Sequence, residues 1–183
     1  YFQTFSSLFL IESSKEKNAS FLNGVLKNHF IKRWESRTRF NPIHSLENRI
    51  FVHERNVGLQ ELVDGKLTLL KGGEEFAQDL ICIMLPFPPL EVESNKISTR
   101  ILIGSLRRGL FLYDGTKFEK FNNEADNYLI ENRLYFRGAL LYDGSYAFGT
   151  QVGGIVVIDS LGRLKRIFNK SDGLINNTVW DLF

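Results

Sequence analysis

The sequence predicts an all-β protein: a β-propeller fragment of about three and a half four-stranded antiparallel blades. Three observations carry this. The first is repetition. Aligned on Gly58, Gly109 and Gly154, three segments each place an apolar triplet at eight, seven and six positions upstream: Ile50-Phe51-Val52, Ile101-Leu102-Ile103 and Tyr146-Ala147-Phe148. Gly58 to Gly109 is 51 residues and Gly109 to Gly154 is 45, near the repeat length of propeller blades and a poor fit to helical solenoids. The second is local chemistry, because the apolar runs are four to eight residues long, rich in Ile, Val, Leu, Phe and Tyr, and punctuated by Asp-Gly, Asn-Gly and Gly-Gly. The third is composition. A chain of 183 residues with 43% hydrophobic and 24% charged residues can bury a sizeable core and is unlike a disordered chain.

The elements come in order from this alignment. After each aligned glycine stands Leu59, Leu110 or Ile155, then an apolar stretch ending at Asp64-Gly65, Asp114-Gly115, or Asp159 with Gly162. Outer apolar pairs come next: Leu67 and Leu70, Phe118 and Phe121, Leu164 and Ile167. The turns between second and third strands are predicted near 54–58, 105–109 and 150–154. Asp-Gly at 64, 114 and 143, and Asn23-Gly24, suit tight hairpins in which glycine takes positive φ. Gly104 and Gly149 share one place in their repeats, where either close backbone packing or a bulge is expected. Innermost strands are predicted at Arg39–His44, Leu80–Leu85 and Leu134–Leu141, with a last one starting at Thr178. A weaker earlier copy lies in Ser7–Ile11, Ser20–Gly24 and His29–Trp34. Pro86, Pro88 and Pro89 assign Pro86–Lys96 to a loop between first and second strands. The expected organisation is a partial or degenerate blade at 1–36, blades at 37–75, 76–123 and 124–170, and the start of another at 171–183. Tyr1-Phe2-Gln3 is compatible with the remnant of a cleavable tag and receives little weight. The closing Val179-Trp180-Asp181-Leu182-Phe183 is expected to pair with another strand or pack on a neighbouring chain.

The segment Tyr142-Asp143-Gly144-Ser145-Tyr146-Ala147-Phe148-Gly149-Thr150, with Gly153-Gly154-Ile155 and then Asp172-Gly173-Leu174-Ile175-Asn176-Asn177-Thr178-Val179-Trp180, resembles the two-component regulator propeller repeat. Ile103-Gly104-Ser105 with Gly109-Leu110-Phe111-Leu112-Tyr113-Asp114-Gly115 is similar to a second copy. The likeness covers about residues 40 to 183 and is strongest after 97. Phe148 stands where that family often has Ile, Tyr146-Ala147 replaces Leu-Trp, and Val52-His53-Glu54 replaces Ile-Gly-Thr. The resemblance implies the periplasmic or extracytoplasmic sensor region of a membrane-anchored bacterial receptor. Its partners would be a small molecule or glycan, the remaining blades, a downstream histidine kinase or other output domain of the same protein, and a second copy in a homodimer.

The residues themselves offer little chemistry. Net charge is +2, from 23 Lys+Arg and 21 Asp+Glu, which gives no broad field for nucleic acid or anionic membrane. No stretch is long enough and apolar enough to span a bilayer, so no membrane contact by this segment is expected. Cys82 lacks a partner and lies in an apolar run, as a buried thiol does. His29, His44 and His53 are not at metal-ligand spacings, and neither a metal nor a cofactor is expected. Gly153-Gly154 lacks the spacing of a phosphate loop, and no Gly-x-Ser-x-Gly elbow is present. Glu74-Glu75, Glu91 and Glu93 read as solvated loop charges. His44, on an innermost strand, is either packed structurally or lines a channel. Basic residues at Lys27, Lys32, Arg33, Arg37 and Arg39, at Arg107-Arg108, and at Arg163, Lys165 and Arg166 alternate with apolar ones as half-exposed strands require. Trp34 and Trp180 are expected to pack between blades. Asn18-Ala19-Ser20, Asn169-Lys170-Ser171 and Asn176-Asn177-Thr178 match the short glycosylation pattern and fix no localisation. A non-enzymatic ligand sensor is therefore the leading expectation, with no catalytic or ligand-binding residue assigned. A lyase or glycoside hydrolase on a propeller scaffold and a protein-binding scaffold are the alternatives.

Overall fold

The computed structural model describes residues 2–4, 6–13, 21–22, 25–26, 29–90 and 98–182. The Asn23-Gly24 turn, the Asn18 pattern, Lys27, Glu91, Glu93 and Phe183 lie outside these described residues.

Three antiparallel four-stranded sheets succeed one another along the chain, each wound in sequence order. The first contains β6 (Phe40–Leu46), β7 (Arg49–Glu54), β8 (Gly58–Val63) and β9 (Lys66–Leu69). The second contains β10 (Ile81–Leu90), β11 (Ser98–Ser105), β12 (Gly109–Tyr113) and β13 (Phe118–Lys120). The third contains β14 (Leu134–Leu140), β15 (Tyr146–Thr150), β16 (Ile155–Ile158) and β17 (Leu164–Phe168). Before them, β1 (Phe2–Gln3), β2 (Ser7–Ser13) and β5 (His29–Glu35) make a three-stranded sheet, and β3 (Phe21–Leu22) pairs with β4 (Val25–Leu26). Phe2 and Gln3 are thus built into a sheet rather than being a structureless appendage, and Gln3 donates to the Asn41 carbonyl at 2.6 Å.

The core lies between sheets, because successive residues of a strand face opposite sides. On β7, Val52 packs with Leu8 and Phe40 toward the preceding sheet, while Phe51 joins Ile81, Met84, Ile101, Ile103 and Phe111 toward the second sheet. On β11, Ile101 and Ile103 belong to that cluster, whereas Leu102 joins Leu134, Tyr146 and Phe148 toward the third sheet. Continuous apolar runs such as Ile101-Leu102-Ile103 therefore mark strands buried on both faces.

The turns between second and third strands fall where the alignment puts them, since β7, β11 and β15 end at Glu54, Ser105 and Thr150. All three aligned glycines have positive φ. A Cβ there would strike Gly73 O at Gly58, Asp126 Oδ1 at Gly109 and Phe168 O at Gly154. The repeated glycine lets each turn slip beneath the segment returning to the next sheet.

Those return segments carry short helical turns that the strand pattern does not announce. Gly73–Phe76 and Lys170–Asp172 are 3-10 turns, and α1 spans Asp126–Glu131. Phe76, Ala125 and Leu129 deliver fully buried side chains, with Phe76 edge-on to Phe111 at 5.3 Å.

Two strand expectations are corrected. β10 continues through Pro86, Pro88 and Pro89 to Leu90, with Pro86 opposite Ile101, instead of ending at Leu85. Proline is accommodated because β10 is the edge strand of its sheet, where the missing N–H interrupts no second ladder. Residues 178–182 are irregular rather than a strand. The Val179 N–H donates to the Thr150 carbonyl at 3.1 Å, and no neighbouring strand is present among the described residues to complete a ladder.

Candidate functional site

One end of the inter-sheet seams is built from inner-strand starts and second-to-third turns. Two clefts open there side by side. One, of about 460 Å³, is lined by Leu80, Cys82, Leu106, Arg107, Ile130, Arg133, Tyr135 and Gln151. The other, of about 220 Å³, is lined by Arg39, Asn41, Arg55, Gln78, Asp79, Leu80, Leu106 and Arg107. They share Leu80, Leu106 and Arg107, so they form one two-lobed mouth across all three four-stranded sheets.

The sequence sets each side chain by position in the repeat. Arg55 sits in the β7–β8 turn, Arg107 in the β11–β12 turn and Gln151 in the β15–β16 turn. Arg39 and Arg133 stand immediately before β6 and β14. The Leu106 N–H donates to the Leu80 carbonyl at 2.9 Å, tying the middle turn to the inner strand. Asp79 strengthens this tie. It accepts the Leu80 N–H at 2.7 Å on Oδ1 and the Ser105 hydroxyl on Oδ2, while Ser105 Oγ accepts the Arg108 N–H at 2.9 Å. Arg133 donates to Gln151 Oε1 at 3.3 Å.

Beneath the smaller lobe, His53 is fully buried. Its Nε2–H donates to the Phe76 carbonyl at 2.8 Å, so Nδ1 is the acceptor for the Asn41 amide at 2.6 Å. Burial holds the His53 pKa below its usual value, partly offset by the Phe76 hydrogen bond. His44 is half-buried, donates to the Ile81 carbonyl at 3.3 Å, and is pushed down to about 4 by burial. Both histidines are fixed by amide and carbonyl groups rather than by carboxylates. Cys82 is buried, and burial pushes its thiol up to about 12.

The other candidate residues lie elsewhere. His29 is on β5. Glu74 and Glu75 are exposed in the first 3-10 turn, and Glu75 pairs with Arg108. Arg163, Lys165 and Arg166 pair with Asp159, Asp143 and Asp172 along the exposed outer strand. Asn169 caps the last 3-10 turn and Asn176 accepts the Thr178 N–H at 3.1 Å, so two of the glycosylation-like asparagines are loop-forming residues. Trp34 packs on the cluster of Leu8, Phe40 and Val52 and donates to the Gly65 carbonyl at 3.0 Å. Trp180 departs from expectation, being 72% exposed with an edge contact to Tyr135 at 6.2 Å, because no sheet among the described residues covers it. Among the described residues no group of three His, Cys, Asp or Glu side chains gathers as a metal site would require. Sequence reasoning missed the mouth because Arg55, Arg107 and Arg133 meet only through the winding of successive sheets. Arg55 and Arg107 recur in aligned turns, where the third repeat has Gln151, and that was the available signal; Arg133, just before β14, carried none.

In a comparison with solved structures, the chain is similar to the crystal structure of the extracellular domain of a B. thetaiotaomicron protein provisionally described as a hybrid two component system. The TM-score is 0.55 at 18% identity, over 84% of this chain and 21% of that one. The chain thus spans about a fifth of the neighbour's length. The fold is all-β and propeller-like. No family model matches the sequence, and no curated protein matches it.

Proposed function

We propose that this chain is a non-enzymatic ligand-recognition segment of a membrane-anchored bacterial signal-transduction receptor, exposed on the extracytoplasmic side. The observation that carries the reading is the two-lobed mouth, assembled from loops of three consecutive sheets. A ligand seated there contacts several repeats at once, so its binding free energy biases how the sheets pack. That bias is the signal, passed to a downstream kinase or other output domain and across a homodimer. The structural likeness to an extracellular domain supports the reading. A small molecule or glycan is the ligand class, with Tyr135 and the exposed Trp180 offering aromatic faces beside the larger lobe.

A thermal-denaturation screen of neutral and acidic saccharides against the full chain tests this. The expected outcome is a saturable rise in Tm for a binder, lost when Leu106→Trp fills the mouth, with the saccharide recovered intact. Recovery of a cleaved or eliminated product, formed by wild type and not by Leu106→Trp, overturns the reading in favour of an enzyme.

A further inference from the structure

Three arginines from three successive sheets converge on the mouth without carboxylate partners, and we infer that it binds a small ligand carrying two oxyanion groups, one on each side of Arg107. This inference rests on the ligand-recognition reading above and names the chemistry of the ligand. Arg55 lines the smaller lobe, Arg133 the larger, and Arg107 both. Away from the mouth, arginines are commonly neutralised locally: Arg33 by Glu35, Arg49 by Glu61, Arg108 by Glu75, Arg137 by Asp181, Arg163 by Asp159 and Arg166 by Asp172. At the mouth, Arg55 and Arg107 have no ion pair among the described residues, and Arg133 meets the neutral Gln151 amide instead. The single carboxylate in the lining is Asp79, whose oxygens accept the Leu80 N–H and the Ser105 hydroxyl, and its one negative charge is outnumbered by the arginines of the lining.

Like charges gathered in one concavity repel, and a bound anion removes that repulsion. Guanidinium groups suit oxyanions because their planar fork donates two parallel hydrogen bonds to a carboxylate, sulfate or phosphate. Arg133 follows the end of α1 with φ of 57°, the left-handed conformation that commonly closes a helix, and its N–H donates to the Ile130 carbonyl at 3.2 Å, so the helix terminus fixes where this side chain enters the rim. Between the charged ends, Leu80 and Leu106 form an apolar saddle, with Ile130 and Tyr135 as the far wall. The occupant is thus a dianion with a less polar middle. A chain-wide polyanion is disfavoured by the net charge of only +2.

The test uses the full chain, thermal denaturation at constant ionic strength, and two probes that each carry two oxyanion groups on a less polar middle, methylenediphosphonate and succinate, against a chloride control. At least one dianion should raise the Tm of wild type saturably, and which one does so separates phosphate-like from carboxylate ligands. Arg107→Gln and Arg133→Asn should weaken that response by roughly tenfold in Kd or more, whereas Arg163→Gln, which breaks an ordinary surface pair, should retain it. Arg133→Asn should also melt no lower than wild type without anion, which shows that the side chain serves binding rather than folding. A wild type that responds to neither dianion beyond chloride overturns the inference, as does equal loss in Arg163→Gln. If a neutral saccharide then binds wild type and Arg107→Gln alike, ligand recognition stands without the anion; if nothing binds, both readings fall.

Discussion

At the scale of single residues, the two histidines of the first sheet act through their neutral forms. His53 donates to Phe76 and accepts from Asn41, and a proton on Nδ1 would set two donors against each other. His44 is held neutral by burial, down to about 4. A histidine whose folded pKa is depressed binds its proton more readily when unfolded, so the folded state loses stability as pH falls below about 6.5 and the loss levels off near the folded pKa. Urea unfolding at pH 7 and at pH 4.5 should differ by on the order of 1–3 kcal/mol, lower at pH 4.5, and His44→Gln should flatten the profile in that window. The held-down Asp143 and Asp159 contribute to stability loss only at still lower pH, with Asp143 at about 2 beside Lys165. A profile unchanged from pH 6.5 to 4.5 would count against this account. The partners of His53 were not legible beforehand, because Asn41 and Phe76 reach it from different elements, whereas the buried Cys82 could be read from its apolar neighbours alone.

At the scale of elements, legibility depended on whether a turn advertises itself. Asp64-Gly65 does: both residues have positive φ, as a two-residue hairpin with the twist of its strands requires. The β6–β7 connection has the same backbone, φ 49° and 63°, but spells it Glu47-Asn48 and so carried no glycine signal. Replacing it with Asn-Gly should stabilise the fold by about 0.5–1 kcal/mol, since the new pair suits positive φ better. A higher urea midpoint with unchanged slope is the expected result; a lower midpoint would show that Glu47 or Asn48 makes a contact worth more than the strain. The extension of β10 through three prolines was hidden for the opposite reason. Proline argues against a central strand, and the sequence does not say which strand lies at a sheet edge.

At the scale of the whole molecule, seams rather than sheets are the units of stability. A Cβ on Gly104 would press on Leu134, and one on Gly149 would press on Val179, so the same glycine in successive repeats receives the first apolar residue of the next segment. Leu134 is fully buried in the seam between the second and third sheets. Leu134→Ala should cost about 2–5 kcal/mol. Because each sheet touches only its neighbours, hydrogen exchange should accelerate most in β11, β14 and β15 and least in β7. Uniform acceleration across all three sheets would refute that ordering. The repeat made the succession of seams legible, while the mouth at their end was not, since it depends on how far each sheet turns relative to the last.

Strands buried on both faces have a further consequence. In a one-sided sheet, slipping a strand by one residue throws its apolar set into water, and that penalty protects the pairing. On β11 the same slip would exchange Leu102 for Ile101 or Ile103, one greasy side chain for its isomer, and little surface would be lost. Proofreading must come from features that tolerate no substitute: Gly104 against Leu134, the Ser105 hydroxyl on Asp79, and the left-handed Gly109 beneath α1. These three cluster at the strand's end and the turn beyond it, where a misaligned copy would meet a clash or an orphaned carboxylate. The small residues that look like relief from the apolar pattern are what lets the chain count.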